Sequence, residues 1–447
     1  MKQYDVSYNQ SILILGYGCL GQCILPLLIN HINLAGSKIT ILEKDNNKHI
    51  FDKRHKNSNI NYVKLEITKK NYKDILQKYV VPGGLLINCS VDVDSVSILT
   101  WCMENNVMQI DTSLETWADN PASLNSDKTL YYLHQLVRKE MKKFSNGPTC
   151  VVTHGANPGY VSHLTKRGLL DLAKSKNIIF TVPKNKEDWA QLMKAVGVKT
   201  IHISEQDTQR INKPKKFNEF VNTWSCHGFY NESITPAELG WGKHEEVLPA
   251  GGHVQGNTVY LAQPGIHVMV KSWVPNGGEF EGYCIRHSES ITINEYFTTY
   301  DKTYSPSVYY VYQPCESTVD SLNELIKRNL CLQNSTRIIK SEITSGMDEL
   351  GVLFLGDDFA WWHGSQMTIE NANHLVYGEN ATSVQVAGSM IAAIIWMIKN
   401  PQKGYVEPEE IPFNEILEIG DMYWQNIISI KSNWVHSCKF NDLRVTH

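Results

Sequence analysis

The sequence predicts an α/β protein, with a Rossmann-type doubly wound parallel sheet and a second, α+β domain that contains a largely antiparallel sheet. A glycine-rich turn between an apolar segment and a predicted helix lies near the N-terminus. Strand-like and helix-like segments then alternate up to about residue 157, which is typical of a parallel sheet. From Lys199 onward, short β-rich segments separated by Gly, Pro and Asn clusters replace this alternation and predict the antiparallel sheet.

The first strand and the turn after it lie in Ser11–Gln22. Ile12–Leu15 is an apolar run that predicts a buried strand, and an apolar helix is expected after the turn. The turn has G-x-G-x-x-G spacing. Its first glycine permits a tight turn, the second lets the backbone approach a pyrophosphate, and the third lets helix and strand pack closely. A structural turn without a ligand is the alternative. The residues predicted to contact a cofactor here are Gly16, Gly18, Cys19, Leu20 and Gly21.

A carboxylate ends the second predicted strand. Lys38–Leu42 is apolar and β-rich, and Glu43 follows it directly. A carboxylate at this place can accept hydrogen bonds from both ribose hydroxyls and would repel a 2′-phosphate. The sequence therefore predicts that the cofactor is NAD rather than NADP.

The bulk composition argues against several classes of protein. A chain of 447 residues is expected to form two or three domains. Its net charge is −4 and it has no basic tract, so no nucleic-acid partner is expected. Met1–Gln10 lacks a signal-peptide core, and no stretch has the roughly 20 apolar residues of a membrane helix. Ten cysteines are scattered without Cys-x-x-Cys, which predicts reduced thiols, a cytoplasmic protein and no metal site.

Short β-rich segments make up the second predicted sheet. They are Thr200–Ser204, Val259–Leu261, His267–Val274, Tyr283–Ile285, Ser290–Ile293 and Val308–Tyr312. Later in the chain, the small and apolar residues of Ser383–Ile398 predict a buried helix. Glu409–Ile430 has helical spacing and several aromatic residues.

Carboxylates, an indole and an imidazole occur together in the middle of the chain. They are Glu205, Asp207, Trp224, Glu232, His287 and Glu289. Taken singly, each is more often structural, as core packing for a Trp and solvation for a Glu. Together they suit an alkylammonium ligand, which carboxylates bind by ion pairing and an indole face binds by cation–π attraction. A His among them can exchange protons near neutral pH, and His287 and Glu289 share a face if this segment is a strand.

Several motifs closely resemble those of the bacterial homospermidine synthases, a family similar to the saccharopine-dehydrogenase-like group. The resemblance runs from the N-terminus to about residue 400. The motifs are Gly16–Gln22, Asp111–Trp117, Gly155–Gly159, Thr223–Ser225, Tyr283–Glu289 and Asp348–Gly351. The internal motifs are more specific than the glycine turn, because a generic dinucleotide-binding enzyme would not need them.

The resemblance implies a transferase that borrows a redox cofactor. NAD⁺ would take hydride from putrescine, and ammonia would be lost as a second putrescine condenses with the imine. NADH would then reduce the new imine to homospermidine, so NAD is regenerated in each turnover. Spermidine is an alternative substrate, with release of diaminopropane. Such a site must keep its intermediates away from water.

The resemblance also implies roles for individual residues. Trp224 would shield the reacting carbon and stabilise cationic imines. Glu205 and Glu115 would bind the ammonium ends, and Asn157 would hold the reacting amine near the nicotinamide. His287 would move protons, oriented by Glu289.

Further residues are lesser candidates by the same resemblance. Glu232 and Asp348 would compensate charge, with Asp357 or Asp358 as alternatives to Asp348. On the cofactor side, the candidates are Ser90, Asp92, Thr112 and again Asn157.

The family also implies a domain order. Residues 1–157 would form the NAD-binding domain, rejoined by about residues 365–405, and residues 158–364 would form the α+β catalytic domain. Residues 406–447 match no motif of the family and are expected to be a C-terminal helical tail. A homodimer is expected.

Two other functions remain open from the sequence. A saccharopine-type dehydrogenase would consume NAD and bind amino-acid carboxylates, for which it needs a basic cluster in the middle domain. The available residues lie in polar stretches typical of solvent loops and are Arg210, Lys213, Lys215, Lys216 and Lys243. A non-catalytic NAD-sensing module that binds a protein partner is the third reading, and the concentration of Trp, His and Glu argues against it.

Overall fold

The structure, a computed structural model, describes residues 6–56, 59–119, 124–434 and 436–446. The chain divides into two compact units. The first unit comprises Met1–Ala122, Leu133–Gly159 and Ser383–Met422. The second unit comprises Ser123–Tyr132, Tyr160–Thr382 and Tyr423–His447.

The strands of the described residues are numbered in chain order. They are β1 (Ile12–Leu15), β2 (Ile39–Glu43), β3 (Ile60–Lys64), β4 (Leu85–Asn88), β5 (Met108–Asp111), β6 (Cys150–Val151), β7 (Thr200–Asp207), β8 (Arg210–Ile211), β9 (Glu219–Asn222), β10 (Pro236–Gly240), β11 (Gly252–Gln255), β12 (Thr258–Pro264), β13 (Met269–Val274), β14 (Gly278–Tyr283), β15 (Ser307–Gln313), β16 (Ser335–Ile338), β17 (Ile343–Ser345), β18 (Met347–Leu355), β19 (Ala360–Thr368), β20 (Tyr405–Val406), β21 (Ile428–Ser432) and β22 (Arg444–Val445).

The α-helices are numbered in the same way. They are α1 (Cys19–His31), α2 (Lys48–Arg54), α3 (Tyr72–Tyr79), α4 (Ser95–Glu104), α5 (Leu130–Met141), α6 (Tyr160–Ser175), α7 (Lys186–Val196), α8 (Cys226–Ile234), α9 (Ser288–Tyr296), α10 (Glu316–Lys327), α11 (Ile369–Leu375), α12 (Ala381–Lys399), α13 (Phe413–Gly420) and α14 (Phe440–Leu443). Short 3₁₀ turns occupy Asn125–Lys128, Gly265–His267, Pro408–Glu410 and Asp421–Tyr423.

The sheet of the first unit is parallel and doubly wound. Its strand order is β20-β6-β5-β4-β1-β2-β3, and every pairing is parallel. The order reverses between β1 and β4, and ligands of such sheets bind outside the carboxyl ends of the strands at this point. All residues of β1, β2, β4 and β5 are buried, as expected for strands covered on both faces. The predicted Rossmann-type sheet is confirmed.

The main sheet of the second unit is mixed and mostly antiparallel. Its path is β11-β12-β10-β15-β7-β18-β19-β21, with β13, β14 and β22 attached off this path. The pairing of β15 with β7 is parallel, and the other pairings in this sheet are antiparallel. The large buried side chains Trp362, Tyr309 and Phe440 belong to the core cluster beside it. The predicted α+β domain is confirmed.

Two expected strands of the second unit are wrong. β14 ends at Tyr283, so most of Tyr283–Ile285 lies outside a strand, and Ser290–Ile293 lies in helix α9. The alternation of polar and apolar residues in this segment is typical of a half-buried strand. In the helix, however, the polar residues are buried as well, and the Asn294 side chain donates to the carbonyl oxygen of Pro306 at 2.6 Å. The alternation of polar and apolar residues indicates a strand only when one side of the segment faces solvent. It therefore fails for α9, whose polar residues are buried too.

The last part of the chain also differs from the expected helical tail. Only α13 and α14 are α-helical beyond residue 406 in the described residues. Ile428–Ser432 pairs instead with β19, and Arg444–Val445 pairs with β13. The segment that rejoins the first unit is Ser383–Met422 rather than about residues 365–405, because β19 extends to Thr368 within the sheet of the second unit.

Helix α12 is the predicted apolar helix. By length and composition it could cross a membrane, and it is the one such helix in the described residues. Of its most apolar window, 89% is buried inside the protein, as in the core helix of a globular fold.

Candidate active site

The glycine-rich turn has the geometry that its spacing predicts. Gly16 has a φ of +91°, in the region that favours glycine, and a Cβ there would lie 2.8 Å from the Cys89 carbonyl oxygen. A Cβ on Gly21 would overlap the carbonyl oxygen of Gly16, so α1 packs on the turn only because that side chain is absent. At Gly18, no described atom lies within 4 Å of the Cβ position. The backbone is therefore open where a pyrophosphate would approach, and the turn fits a dinucleotide.

Glu43 fastens this turn to the end of β2. The residue is 5% exposed, and its Oε2 accepts from the backbone N–H of Tyr17 at 2.6 Å. Its Oε1 accepts from the N–H of Asp45 at 2.8 Å. Each carboxylate oxygen has a second lone pair, so the group can still accept from a ribose. The carboxylate thus holds the shape of the turn, a role that the sequence spacing does not reveal.

The other candidates of the first unit follow the carboxyl ends of β4, β5 and β6. They are Ser90, Asp92, Thr112, Glu115 and Asn157. Ser90 Oγ donates to the Asn88 side chain at 2.6 Å. The N–H of Glu115 donates to Ser95 Oγ at 3.0 Å. All five lie on the sheet edge where doubly wound folds bind their ligands.

Two further contacts in the first unit concern Cys19 and Asn157. Cys19, at the start of α1, lies with its sulfur 2.8 Å from Ser383 Oγ. Asn157 is half-buried in a tight turn, which the Gly155 N–H closes by donating to the Pro158 carbonyl oxygen at 2.7 Å. Gly159 follows with a φ of +117°, which a side chain would disfavour. The turn therefore fixes the backbone at Asn157 within the first unit.

In the second unit, His287 lies between two carboxylates. Its Nδ1 is 3.2 Å from Glu289 Oε1, and its Nε2 is 3.3 Å from Glu232 Oε2. Burial alone would lower the pKa of His287, but the charges of Glu289 and Glu232 outweigh burial and raise that pKa to about 10. The imidazole is therefore protonated at neutral pH in the absence of a ligand. His287 precedes α9, so helix geometry rather than a strand brings Glu289 to it.

Tyr310 connects this histidine to Glu205. The ring centroids of His287 and Tyr310 are 4.3 Å apart. The Tyr310 hydroxyl donates to Glu205 Oε2 at 2.6 Å, and Glu205 is 2% exposed. Glu205 lies within β7 rather than after it. A short hydrogen bond to a buried carboxylate is of the strong, charge-assisted kind, so it fixes the Glu205 side chain.

Trp224 belongs to the same aromatic cluster. It is half-buried between the end of β9 and the start of α8, and its ring lies 5.5 Å from that of Phe229. The Phe229 ring is 5.6 Å from that of Tyr312, which stacks on Tyr310 at 5.5 Å. Ring contacts thus run from the indole to His287.

Asp348, and not Asp357 or Asp358, lies beside Glu205. Asp348 is fully buried in β18, and its pKa is raised well above the usual value by burial and then by the charges of Glu205 and Asp207. Asp357 and Asp358 are exposed in the β18–β19 turn. Among the three aspartates that the resemblance left open, the geometry therefore favours Asp348.

Two tyrosines of this region were missed from the sequence. Val308–Tyr312 is a correctly predicted strand, and residues two apart in a strand share a face. That rule places Tyr310 and Tyr312 on the same face of the sheet. What the sequence could not supply is that β15 pairs with β7, which sets Tyr312 opposite Glu205.

Comparison with known proteins decides the family. Residues 12–151 match the saccharopine dehydrogenase NADP binding domain, and residues 155–426 match the saccharopine dehydrogenase C-terminal domain. The chain is 36% identical over 442 residues to the homospermidine synthase of Mesorhizobium japonicum, covering 95% of this chain and 90% of that protein. The chain belongs to the homospermidine synthase family.

Other relatives agree with this family. The homospermidine synthase of Blastochloris viridis is 35% identical over 443 residues, covering 95% of this chain and 91% of that protein. The solved structure of the homospermidine synthase of Legionella pneumophila in complex with NAD matches with a TM-score of 0.91 and 33% identity, covering 99% of both chains. The resemblance inferred from the sequence motifs is confirmed.

A more distant structure shares the fold alone. The apo saccharopine dehydrogenase of Saccharomyces cerevisiae has a TM-score of 0.52 at 11% identity, covering 95% of this chain and 100% of that chain. The domain architecture therefore extends beyond the homospermidine synthase family.

Proposed function

We propose that this chain is an NAD-dependent homospermidine synthase, which transfers the aminobutyl group of putrescine to a second putrescine, or to spermidine, through imine intermediates. One observation carries the proposal: Glu205, Tyr310, His287, Glu232 and Glu289 form one continuous network in the second unit. Carboxylates that outnumber the single imidazolium leave a net negative charge, which favours the binding of cationic amines. The family relationship supports the same conclusion.

The cofactor, when bound at the glycine turn, supplies the acceptor for the hydride of the amine and the donor for reduction of the imine. The turn residues and Glu43 would hold it. Glu43 also supports NAD over NADP, because a 2′-phosphate beside a buried carboxylate would bring two negative charges together. Ten residues have a cofactor role in this proposal: Gly16, Gly18, Cys19, Leu20, Gly21, Glu43, Ser90, Asp92, Thr112 and Asn157.

The charge balance around His287 gives the proton transfers a physical basis. With no ligand, two carboxylates hold the proton on the imidazole. An ammonium group that pairs with Glu232 or Glu289 cancels part of that negative charge, so the pKa of His287 falls toward neutrality. Binding of the cationic substrate thus turns a fixed imidazolium into a group that can accept and return a proton.

The remaining residues would handle the two cationic ends and the imine. Glu205, held by Tyr310, would accept an ammonium end. The family resemblance implies an ammonium-binding role for Glu115 as well. Asn157 would orient the reacting amine by its amide. The indole face of Trp224 would stabilise a cationic imine by about 1–2 kcal/mol, and it would shield the imine from water.

Assembly and location belong to the same proposal. We expect a cytoplasmic homodimer, in line with the family resemblance of the sequence. None of the ten cysteines forms a disulfide, which supports a reducing compartment.

A product assay tests the function. The protein is incubated with putrescine and a trace of NAD, and the products are identified by mass spectrometry. The expected result is homospermidine and ammonia, with many molecules of product for each NAD. Accumulation of NADH in step with amine consumption, without homospermidine, would overturn the proposal.

The saccharopine-type alternative lacks support in the geometry. Lys213, Lys216 and Lys243 are exposed, and Lys215 pairs with Glu324. The acidic side chains that contact His287 are the carboxylates of Glu232 and Glu289, which repel an amino-acid carboxylate.

A further inference from the structure

Thr153 has an unusual backbone conformation at the carboxyl edge of the sheet in the first unit. Its φ is +62°, and it is the one β-branched residue with a positive φ in the described part of the chain. The Cβ of an L-residue disfavours this left-handed region, and a branched side chain makes it a clear outlier. Such a conformation persists only where the surroundings impose it, and it is typical of functional sites. A neighbouring group must therefore hold Thr153 in place.

Asp111, the last residue of β5, is the group that holds Thr153. Its Oδ1 accepts from the backbone N–H of Thr153 at 2.9 Å, and its carbonyl oxygen accepts from the N–H of His154 at 2.8 Å. Asp111 is 1% exposed, so water does not compete for these bonds. The Thr153 hydroxyl has no hydrogen-bond partner within the described ranges, so its side chain adds no hydrogen bond of its own. The backbone conformation at Thr153 therefore depends on Asp111.

The turn that follows Thr153 carries Asn157. It is closed by the hydrogen bond that the Gly155 N–H donates within it. A Cβ on Gly155 would lie 3.3 Å from Val386 Cγ1 and 3.4 Å from Thr112 Cγ2, so the turn packs closely on both side chains. Because the turn is closed in this way, a rotation of the backbone at Thr153 would displace Asn157 together with the whole turn.

We infer that Asp111 is a positioning residue for the reaction, which holds Thr153 in the left-handed conformation and thereby places Asn157. This inference rests on the proposed function, in which Asn157 orients the reacting amine. Both carboxylate oxygens of Asp111 accept from protein groups, so its effect on the amine is exerted through Asn157. A misplacement of about 1 Å at a reacting group can lower a rate about 10²-fold.

Gln109 holds the second oxygen of Asp111. Its Nε2 donates to Asp111 Oδ2 at 3.0 Å, and its Oε1 has no hydrogen-bond partner among the residues that the structure describes. Burial raises the pKa of Asp111 to about 7, and the hydrogen bonds from Thr153 and Gln109 oppose this rise. When Asp111 is protonated, the Gln109 amide can turn over so that Oε1 accepts the new proton. The bond from the Thr153 N–H to Oδ1 is kept in both states.

This arrangement predicts which substitutions of Asp111 are tolerated. Asp111→Asn keeps an acceptor for the Thr153 N–H and offers its NH₂ group to Gln109 Oε1, so kcat should stay within about threefold of the wild type. Asp111→Ala removes the acceptor, so kcat should fall about 10- to 100-fold. The KM for putrescine should change much less, because carboxylates of the second unit bind the ammonium ends. Asp111→Leu, which has the shape of Asp without its acceptors, replaces the Ala variant if that variant does not fold.

A second substitution tests how Asp111 acts. Glycine has no Cβ, so it adopts a positive φ without an anchor. In the Asp111→Ala background, Thr153→Gly should therefore restore most of the lost kcat. Stability should stay low, because the buried Gln109 amide still lacks its partner. The matched control is Asn106→Gly in the same background. Asn106 also has a positive φ, of +53°, but it precedes β5 at the opposite edge of the sheet, so kcat should not recover.

Three measurements are made on each variant. Steady-state kinetics with putrescine and NAD give kcat and KM, and thermal unfolding gives stability. Hydrogen exchange followed by mass spectrometry reports on the peptide of residues 152–160 without any need for turnover. This peptide should exchange faster in Asp111→Ala than in the wild type, and at the wild-type rate in Asp111→Asn.

The possible results are distinguishable. An unchanged kcat in Asp111→Ala overturns the inference and leaves the proposed function intact. A purely structural role of Asp111 predicts that kcat follows stability, so a double variant with Thr153→Gly that recovers neither also overturns it. Equal losses of kcat in Asp111→Asn and Asp111→Ala would assign the effect to the charge, against the inference. If the wild-type protein forms no homospermidine, the proposed function fails, and hydrogen exchange still decides whether Asp111 holds the turn that carries Asn157.

Discussion

Replacing Glu289 by Gln should move the ionisation of His287 into the physiological range. The Glu289 carboxylate lies 3.2 Å from His287 Nδ1 and is the strongest of the interactions that raise its pKa. At this distance and an effective dielectric constant of about 20, the attraction is worth roughly 5 kcal/mol, an upper limit of about 4 pKa units. Because Glu232 remains, we expect the pKa of His287 to fall from about 10 by about 2–4 units.

The assay is a titration by NMR of protein labelled at the histidine Cε1 atoms. The chain has 16 histidines, so the His287 signal is assigned from a His287→Gln sample. In the wild type, this signal should keep the shift of a protonated ring from pH 6 to 9. In Glu289→Gln it should titrate near neutral pH. A wild-type signal that is already neutral at pH 7, or an unaltered midpoint in the variant, would refute the electrostatic reasoning.

The same proton affects the pH dependence of folding. The folded-state pKa of His287, about 10, lies above the ordinary value of 6.5, so the bound proton favours the folded state. This stabilisation is complete below pH 6.5 and is lost as the pH rises through about 10. In the Glu289→Gln variant, this stabilisation of the folded state should be lost at a lower pH than in the wild type. The control is Glu281→Gln, which removes an exposed carboxylate of the same unit and should leave both the titration and the stability profile unchanged.

Three further substitutions test the cofactor turn and the aromatic cluster. Glu43→Ala should weaken NAD binding, as measured by fluorescence titration. It should also lower the free energy of unfolding by about 1–3 kcal/mol for each backbone N–H left without its acceptor, as measured by thermal unfolding. Equal dissociation constants and midpoints would show that another residue holds the turn. Trp224→Ala should reduce turnover at least tenfold, through loss of a cation–π interaction of about 2 kcal/mol, with an unchanged circular dichroism spectrum; full activity would remove the indole from the mechanism. Tyr310→Phe removes a charge-assisted hydrogen bond to Glu205 worth about 1.5–3 kcal/mol and should raise KM for putrescine by about 10- to 150-fold. An unchanged KM would mean that Glu205 does not bind the amine.

The sequence predicts features that depend on neighbouring residues better than features that depend on contacts between distant segments. The glycine turn, β1 and α1 follow from spacing within Ser11–Gln22, so they were predictable. Helix α9 was not, because its polar side chains are buried by contacts with distant segments, such as that of Asn294 with Pro306. An apolar–polar alternation carries information only where one face meets water.

The candidate site divides in the same way. The acids, the indole and His287 were chosen from the sequence as a group of residue types, and the structure joins Glu205, His287, Glu232 and Glu289 through short contacts and Tyr310. The partners that join them come from long-range strand pairing, as with Tyr310 beside Glu205 and Asp207 opposite Asp348. Register between distant strands is set by the packing of the whole sheet, which no short motif encodes.

The anchoring of the first turn by Glu43 has a consequence for protein engineering. Attempts to switch a dinucleotide enzyme toward the phosphorylated cofactor commonly begin by exchanging the acid at the end of the second strand for a small or basic residue. In this chain that exchange would also remove the acceptor of the Tyr17 backbone N–H. The glycine-rich turn that binds the diphosphate would then be less well ordered. A successful redesign would have to bring in a replacement acceptor for that amide along with the new specificity.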